Sequence, residues 1–299
     1  MPVIATTALT KRYPRVTALD ELSVEVGSGV TGLVGANGAG KSTLLKILLG
    51  LIAPTAGSAI VLGHDVVTGG EAVRALVGYM PEHDCLPPDV SATEFVVHLG
   101  QMSGLPATAA RERAADVLRH VGLDEARYRP MGGYSTGMKQ RVKLAQALTH
   151  DPKLVLLDEP TNGLDPAGRD EMLALVRRIG TEFGIPVLIT SHLLGELESV
   201  CDHIVVLDGG RLLRSESKAA LTGETGVLAV EVRDLSGRDR LGAALARAGA
   251  RVRAEGPLVL VEISGEETYD LVRDAVADLG LGLVRVEPHR HRLEEVFSV

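Results

Sequence analysis

A glycine-rich segment that follows an apolar run contains the residue types needed to bind a phosphate group. The segment reads Gly35-Ala36-Asn37-Gly38-Ala39-Gly40-Lys41-Ser42-Thr43. Glycines let backbone N–H groups approach an anion closely, and a helix that begins here adds the positive end of its dipole. Lys41 can reach the β- and γ-phosphates of a nucleotide, and the Ser42 hydroxyl can bind Mg²⁺. The pattern G-x-x-x-x-G-K-[ST] between a strand and a helix therefore predicts a phosphate-binding P-loop made by residues 35–43.

Two adjacent carboxylates stand at the end of another apolar run. Asp158 and Glu159 directly follow Leu154–Leu157, a run typical of a parallel strand that is covered on both faces. In α/β sheets, ligands bind at the carboxyl ends of such strands. We expect Asp158 to hold Mg²⁺, directly or through water, and Glu159 to polarise an attacking water molecule. Together with the P-loop, these acids predict the transfer of a phosphoryl group to water.

Strands that alternate with helices are expected to position these residues. Apolar runs predict strands at 3–9, 22–26, 30–34, 59–62, 77–80, 154–157, 186–190 and 204–207. A capping box, Ser91 with Glu94, begins an all-helical stretch at 91–132 that interrupts the alternation. The sequence therefore predicts an α/β fold, with a mostly parallel sheet and a helical insertion. Tyr13 is expected in the connection between the first two strands.

The pattern changes beyond about residue 220. Strand, helix, two strands, helix and strand follow one another, and a last short helix is predicted at 293–297. The order βαββαβ predicts a small ferredoxin-like α+β module. We therefore expect two domains: 1–220, with a helical subdomain at about 85–150, and an accessory domain at 226–299.

Bulk properties exclude some classes of protein. The net charge is −8 and no basic block stands out, so nucleic-acid binding is not expected. Two widely separated cysteines, Cys85 and Cys201, fit a reducing cytoplasm better than a disulfide framework. No signal peptide is recognised, and Pro54 interrupts the longest uncharged window, 47–63. A membrane function would therefore depend on a partner.

Over about residues 3–215 the sequence resembles the nucleotide-binding subunit of an ATP-binding-cassette (ABC) transporter. The segment Tyr134-Ser135-Thr136-Gly137-Met138 is similar to the signature of that family, although Thr136 and Met138 depart from its commonest form. The resemblance implies that Ser135 and Gly137 contact phosphate at a helix N-terminus. The segment Asn162-Gly163-Leu164-Asp165 resembles the D-loop of the family, so the resemblance also implies a nucleotide-binding role for Asp165.

Three further residues receive roles from the same resemblance. His192, in Thr190-Ser191-His192, corresponds to the switch histidine, so Lys41, Glu159 and His192 are the expected catalytic residues. Tyr13 stands where the family stacks an aromatic ring on adenine. Glu82 stands where the family commonly has a glutamine that binds Mg²⁺ and links to the membrane subunit. The expected metal ligands are therefore Ser42, Asp158 and Glu82.

The resemblance also implies a fold, cofactors and partners. The fold is that of a P-loop ABC ATPase, and the cofactors are ATP and Mg²⁺. The expected partners are a second ATP-binding subunit, taken as another copy of the chain, and a transmembrane permease at the cytoplasmic face of the cell membrane. The segments 78–82, 134–141 and 293–297 resemble the ATPases of ABC-2 type exporters.

Two other classes stay open at this point. A soluble ABC-type ATPase could act on a nucleic acid or ribosome, although the sequence has neither a coiled-coil insertion nor a second cassette. A small-molecule P-loop kinase would explain residues 35–43, but not Ser135, Asp165 and His192.

Overall fold

The computed structural model describes residues 2–217, 224–265 and 267–290. It divides the chain into two compact units, Met1–Lys218 and Ala219–Val299. The strands of the first unit are β1 Ile4–Tyr13, β2 Val16–Leu22, β3 Glu25–Val26, β4 Val30–Val34, β5 Ala56–Val61, β6 His64–Asp65, β7 Val77–Met80, β8 Leu154–Leu157, β9 Val187–Ser191, β10 His203–Asp208 and β11 Arg211–Ser217. Its α-helices are α1 Lys41–Leu48, α2 Gly70–Leu76, α3 Ala92–Met102, α4 Ala107–His120, α5 Thr136–Leu148, α6 Pro166–Thr181 and α7 Leu194–Leu197.

A six-stranded sheet carries the segments of chemical interest at one edge. Its strand order is β11-β10-β4-β9-β8-β7, and β10, β4, β9, β8 and β7 pair in parallel. Every residue of β4, β8 and β9 is buried, as expected for parallel strands covered on both faces. The parallel pairing brings the carboxyl ends of these strands to the same edge of the sheet.

The prediction of a mostly parallel sheet is correct for β4 and β7 to β10, but it is incomplete. The strands β2, β1, β5 and β6 form a second, antiparallel sheet, in which β3 also pairs with β1. Tyr13 ends β1 and pairs with Val16, so its predicted place in a connection is wrong. The reason is that a two-residue turn joins β1 to β2 as a hairpin, which extends β1 beyond its apolar residues and places β2 at Val16–Leu22, mostly before the strand predicted at 22–26.

Helix α1 shares one hydrophobic core with both sheets. Leu44, Leu45 and Leu48 belong to the same buried cluster as Leu33 of the parallel sheet and Ile4 of the antiparallel one. The N-terminus of this helix is therefore fixed relative to the carboxyl end of β4. That geometry is what a P-loop requires.

The helical insertion contains α3, α4, two short 3₁₀ turns and α5. The capping box is confirmed at α3: Ser91 Oγ accepts from the Glu94 backbone N–H, and Glu94 accepts from the Ser91 N–H at 3.0 Å. Helix α5 begins at Thr136, and Ser135 caps it by accepting from Met138 N–H at 3.3 Å. The 3₁₀ turns are Glu125–Tyr128 and Met131–Gly133.

The second unit has the order βαββαβ. Its elements are β12 Glu224–Val232, α8 Leu235–Arg247, β13 Val252–Glu255, β14 Leu258–Glu262, α9 Glu267–Asp278 and β15 Leu283–Arg290. The sheet order is β13-β14-β12-β15, with every neighbouring pair antiparallel. Leu241 and Val272 of the two helices pack on Leu228 and Val261 of the sheet. The helix predicted at 293–297 lies outside the described residues.

None of the helices in the described part of the chain is long and apolar enough to cross a membrane.

Candidate nucleotide site

The glycine-rich segment forms a tight loop between β4 and α1. Gly40 has φ +102° and precedes the first residue of α1, and a Cβ there would lie 2.4 Å from the Ala18 carbonyl oxygen. A Cβ on Gly35 would lie 2.5 Å from the Leu207 carbonyl oxygen. These two glycines are therefore required by the close approach of neighbouring backbone. The loop ends at a helix N-terminus, where an anion is stabilised by backbone N–H groups and the helix dipole.

Lys41, Glu159 and His192 form a continuous chain of charged and polar contacts. Lys41 is only 6% exposed, and its Nζ lies 3.2 Å from Glu159 Oε1 and donates to the Gly35 carbonyl at 2.6 Å. The other carboxylate oxygen of Glu159 lies 2.9 Å from His192 Nδ1. The three residues belong to the first turn of α1 and to the ends of β8 and β9. The parallel sheet thus brings together the three residues that the sequence predicts as catalytic.

Asp158 lies between two hydroxyl groups. Its Oδ1 accepts from Thr190 Oγ1 at 2.9 Å and from Ser42 Oγ at 3.3 Å. Burial raises the pKa of Asp158 above its usual value; the two hydrogen bonds oppose this rise, and the negative charges of Glu82 and Glu159 add to it. A bound cation would offset the energetic cost of this buried charge.

The backbone of Glu159 adopts an uncommon conformation. Its φ is +49°, in the left-handed region that non-glycine residues seldom occupy. The Glu159 N–H donates to Thr190 Oγ1 at 2.9 Å, and its carbonyl accepts from Asn162 N–H at 3.1 Å. Such a conformation persists only where its surroundings fix it, and it is typical of functional sites. Here it directs the Glu159 side chain toward Lys41 and His192.

The oxygen ligands present suit Mg²⁺, which needs only a few protein ligands, better than a metal that is bound by protein side chains alone. Within residues 2–217, 224–265 and 267–290, no cluster of three or more His, Cys, Asp or Glu could hold a metal ion. Mg²⁺ is usually held by one or two carboxylates, with substrate phosphates and water completing its shell. The Ser42 hydroxyl and the Asp158 carboxylate meet this requirement beside the P-loop.

Glu82 is near this centre but has partners of its own. It follows β7, and its Oε1 accepts from Asn162 Nδ2 at 3.3 Å. Its backbone carbonyl accepts from Lys143 Nζ of α5 at 2.7 Å. The Glu82 segment is therefore tied to both the segment after Glu159 and helix α5.

The signature and D-loop residues lie away from these contacts. Ser135 is exposed and caps α5, and Asp165 caps α6 by accepting from Gly168 N–H at 3.1 Å. A Cβ on Gly137 would lie 3.8 Å from the Leu164 side chain, so the two segments adjoin. Among the hydrogen bonds and ion pairs of the described residues, none joins Ser135, Gly137 or Asp165 to the P-loop.

Tyr13 occupies the tip of the hairpin formed by β1 and β2. Its side chain is 42% exposed, and Lys11 Nζ lies 5.3 Å from its ring centroid. The neighbouring strand β2 carries Ala18, which adjoins Gly40 of the P-loop. The contact of Tyr13 with adenine stays a prediction.

Three residues at this edge of the fold were missed by the sequence analysis. Thr190 joins Asp158 to the Glu159 backbone, Asn162 contacts Glu82, and Lys143 reaches the Glu82 carbonyl. The position of Lys143 between the apolar residues Val142 and Leu144 was the available signal for it. No local pattern identified the contacts of Thr190 or Asn162.

Comparisons with known proteins agree with this geometry. The family model described as ABC transporter matches residues 19–162. The daunorubicin resistance ATP-binding protein DrrA3 of Streptomyces coeruleorubidus is 36% identical, over 98% of this chain and 96% of its own. The bacitracin transport ATP-binding protein BcrA of Bacillus licheniformis is 37% identical, over 71% of this chain and 68% of its own.

A solved structure also resembles the chain. The dimeric post-hydrolysis state of the ATP-binding cassette MJ0796, bound to ADP and Pi, matches with a TM-score of 0.65 and 25% identity. The match covers 72% of this chain and 98% of that one.

Proposed function

The chain belongs to the family of ABC transporter ATP-binding proteins, and we propose roles for its residues on that basis. It is the subunit that binds and hydrolyses ATP and thereby energises a membrane permease of the exporter type. The convergence of Lys41, Asp158, Glu159 and His192 at one edge of a parallel sheet is the observation that supports these roles.

Residues 35–43 hold the phosphates of ATP in this proposal. Their backbone N–H groups and the α1 dipole bind the anion, while Lys41 contacts the β- and γ-phosphates as a point charge. Lys41 would then exchange its contact with Glu159 for one with phosphate. Ser42 and Asp158 hold Mg²⁺, with Glu82 as a further ligand or a contact through water; when bound, Mg²⁺ neutralises charge on the phosphates.

Glu159 and His192 act on the attacking water. Glu159 orients and polarises the water as general base, and Thr190 keeps its backbone in place. His192, 2.9 Å from the Glu159 carboxylate, orients that carboxylate and contacts the γ-phosphate. Removing either group leaves a site that binds nucleotide but does not align water for attack.

Ser135, Gly137 and Asp165 serve a second subunit. They are separate from the P-loop contacts of their own subunit and lie at the exposed N-termini of α5 and α6. The N-terminus of α5 would supply positive potential to the nucleotide of a second copy of the chain. The dimeric form of the similar cassette MJ0796 supports this arrangement. Tyr13 would stack on adenine.

The permease is the remaining partner. The chain is proposed to lie at the cytoplasmic face of the membrane, where the helical insertion and the Glu82 segment contact the permease. The absence of a basic block argues against a nucleic-acid partner. A pull-down from a membrane extract distinguishes a transporter subunit from a soluble ATPase that acts on nucleic acid or ribosomes. Co-purification of a multi-span membrane protein supports transport, whereas co-purification of ribosomes or DNA would contradict it.

A ferredoxin-like accessory domain at 226–299 completes the proposal, with the ATPase domain at 1–220. The order βαββαβ and the antiparallel strand order β13-β14-β12-β15 support the ferredoxin-like assignment. The residues to which the proposal gives catalytic roles, Lys41, Glu159 and His192, all lie in the first unit.

The variant Glu159→Gln tests the catalytic proposal. We expect its ATPase rate to fall about 10²-fold or more, because the amide cannot act as general base. ATP and Mg²⁺ should still convert the variant to a dimer, as measured by light scattering. The control is Glu182→Gln, which changes an exposed glutamate paired with Arg178 and should leave both properties unchanged. A Glu159→Gln variant that hydrolyses ATP at the normal rate, or that stays monomeric with ATP, would contradict the proposal.

A further inference from the structure

Helix α5 holds the Glu82 segment through one face. Lys143 Nζ donates to the Glu82 carbonyl at 2.7 Å, and Lys139 Nζ pairs with Asp84 Oδ2 at 2.8 Å. Gln146, further along the helix, accepts from Cys85 Sγ at 3.9 Å. Positions 139, 143 and 146 follow the helical spacing i, i+4, i+7, so all three side chains project from the same face.

Lys143 differs from an ordinary surface lysine. It is 3% exposed, and lysine is almost never fully buried without a partner. Burial lowers the pKa of Lys143, whereas the nearby carboxylates of Asp84, Glu82 and Asp158 oppose this fall. The ammonium group thus lies at the backbone carbonyl of Glu82, a residue that the proposed function assigns to the Mg²⁺ site. In contrast, the pair of Lys139 with Asp84 is partly solvent-exposed and contributes little.

Helix α5 holds the Glu82 backbone directly and the Glu82 carboxylate through Asn162. Lys143 contacts its backbone carbonyl, and Asn162 contacts its carboxylate at 3.3 Å. Gln140 of α5 in turn donates to the Asn162 carbonyl at 3.1 Å. The helix that begins at the signature therefore fixes both segments next to the nucleotide.

The negative charge of Glu82 explains why a buried lysine beside it matters for nucleotide binding. Together with Asp158 and Glu159, Glu82 places a third carboxylate beside a site for an anionic nucleotide. Each added negative charge within a few ångström of a phosphate weakens nucleotide binding. A buried cation nearby reverses part of that effect.

We infer that Lys143 is a positioning residue that holds the Glu82 segment against the nucleotide site and offsets the charge of the Glu82 carboxylate. This inference rests on the proposed function, because it assigns Lys143 to the same ATP and Mg²⁺ site. Through the bond of Lys143 to the Glu82 carbonyl, it connects the signature helix to the metal centre within a subunit.

The test is a double-mutant cycle on nucleotide binding. Lys143→Met keeps an unbranched stem in the buried position but removes the charge, and Glu82→Gln removes the carboxylate charge. We expect Lys143→Met to weaken the binding of a fluorescent ATP analogue with Mg²⁺ about three- to tenfold. In the Glu82→Gln background the same change should cost less than it does with Glu82, because the carboxylate charge to be balanced is gone, whereas the bond to the backbone carbonyl of residue 82 is lost in both backgrounds.

A second measurement, a control variant and an alternative substitution accompany the binding experiment. Hydrogen exchange of the 81–86 peptide should speed up in Lys143→Met, since the bond to the Glu82 carbonyl is lost. The control Lys153→Met alters a lysine that is 64% exposed and should change neither measurement. If Lys143→Met does not fold, Lys143→Gln in the same cycle removes the charge while keeping a polar side chain.

Equal effects of the Lys143 substitution with Glu82 and with Gln at position 82 would overturn the inference. Unchanged nucleotide binding in Lys143→Met would do the same. Failure of the unmodified protein to bind ATP would instead refute the proposed function.

Discussion

Replacing Thr190 by valine tests whether one buried hydroxyl holds both acidic residues in place. Thr190 is fully buried; its Oγ1 donates to Asp158 Oδ1 and accepts from the Glu159 N–H, each at 2.9 Å. Valine has nearly the same shape, so the substitution removes both hydrogen bonds without opening a cavity. The perturbation is therefore electrostatic and local.

The expected loss of stability follows from the two bonds. Leaving the buried Glu159 N–H unsatisfied costs about 1–3 kcal/mol, and losing a hydrogen bond to the Asp158 carboxylate costs about 1.5–3 kcal/mol. Because one hydroxyl makes both bonds, the costs overlap, and we expect a total of about 2–4 kcal/mol. For a unit of this size, that corresponds to a fall in melting temperature of about 5–15 °C.

Activity should fall more than stability alone explains. The strained φ of +49° at Glu159 depends on its anchoring, so the carboxylate should shift relative to the attacking water. A displacement of about 1 Å costs up to about 10²-fold in rate. We therefore expect the ATPase kcat of Thr190→Val to fall about ten- to a hundredfold.

Calorimetry and a phosphate-release assay measure the two effects. The relevant thermal transition is the one that ATP shifts upward, since a ligand stabilises the unit that binds it. Thr149→Val is the matched control: its hydroxyl is buried and donates at 2.8 Å to the Ala145 carbonyl within α5. The control should lose about 1 kcal/mol and keep its ATPase rate. A Thr190→Val variant within about 0.5 kcal/mol and twofold in kcat of the unmodified protein would refute the reasoning.

Two further substitutions test the P-loop backbone and a half-buried histidine. Gly40→Ala should cost about 2 kcal/mol or more and abolish ATP binding, because its Cβ would lie 2.4 Å from the Ala18 carbonyl oxygen at φ +102°. Urea titration measures this cost, and Gly38→Ala, with φ +86° but open space around it, should cost only about 1–2 kcal/mol; equal costs for the two variants would argue against the close contact. Burial lowers the pKa of His150, whose Nε2 lies 3.2 Å from the Val77 carbonyl, so the folded state binds fewer protons than the unfolded state below the usual pKa of 6.5. The free energy of unfolding should therefore fall as pH drops below that value. In His150→Gln it should fall less between about pH 7.5 and about pH 5.5. An unchanged pH dependence would count against a lowered pKa of His150 in the folded state.

The chemistry of the site could be predicted from the sequence where local patterns dictate it. The P-loop spacing places Lys41 and Ser42 at a helix N-terminus, and apolar runs place Asp158 and His192 at strand ends. Parallel strands that are buried on both faces have few alternative arrangements, so these ends had to meet at one edge. The capping box at Ser91 likewise predicted the start of α3, because both of its hydrogen bonds join residues three apart.

Contacts between distant residues were decided by tertiary structure. Thr190 meets Asp158 across 32 residues of sequence, and Lys143 meets Glu82 across 61. These contacts depend on strand order and on the placement of α5, which residue types alone do not specify. The separate antiparallel sheet was missed for the same reason, since alternation predicts a strand but not its neighbour. The sequence therefore determined which groups are proposed to perform chemistry, because their types and local spacing identify them, whereas packing decided which buried side chains hold them in position.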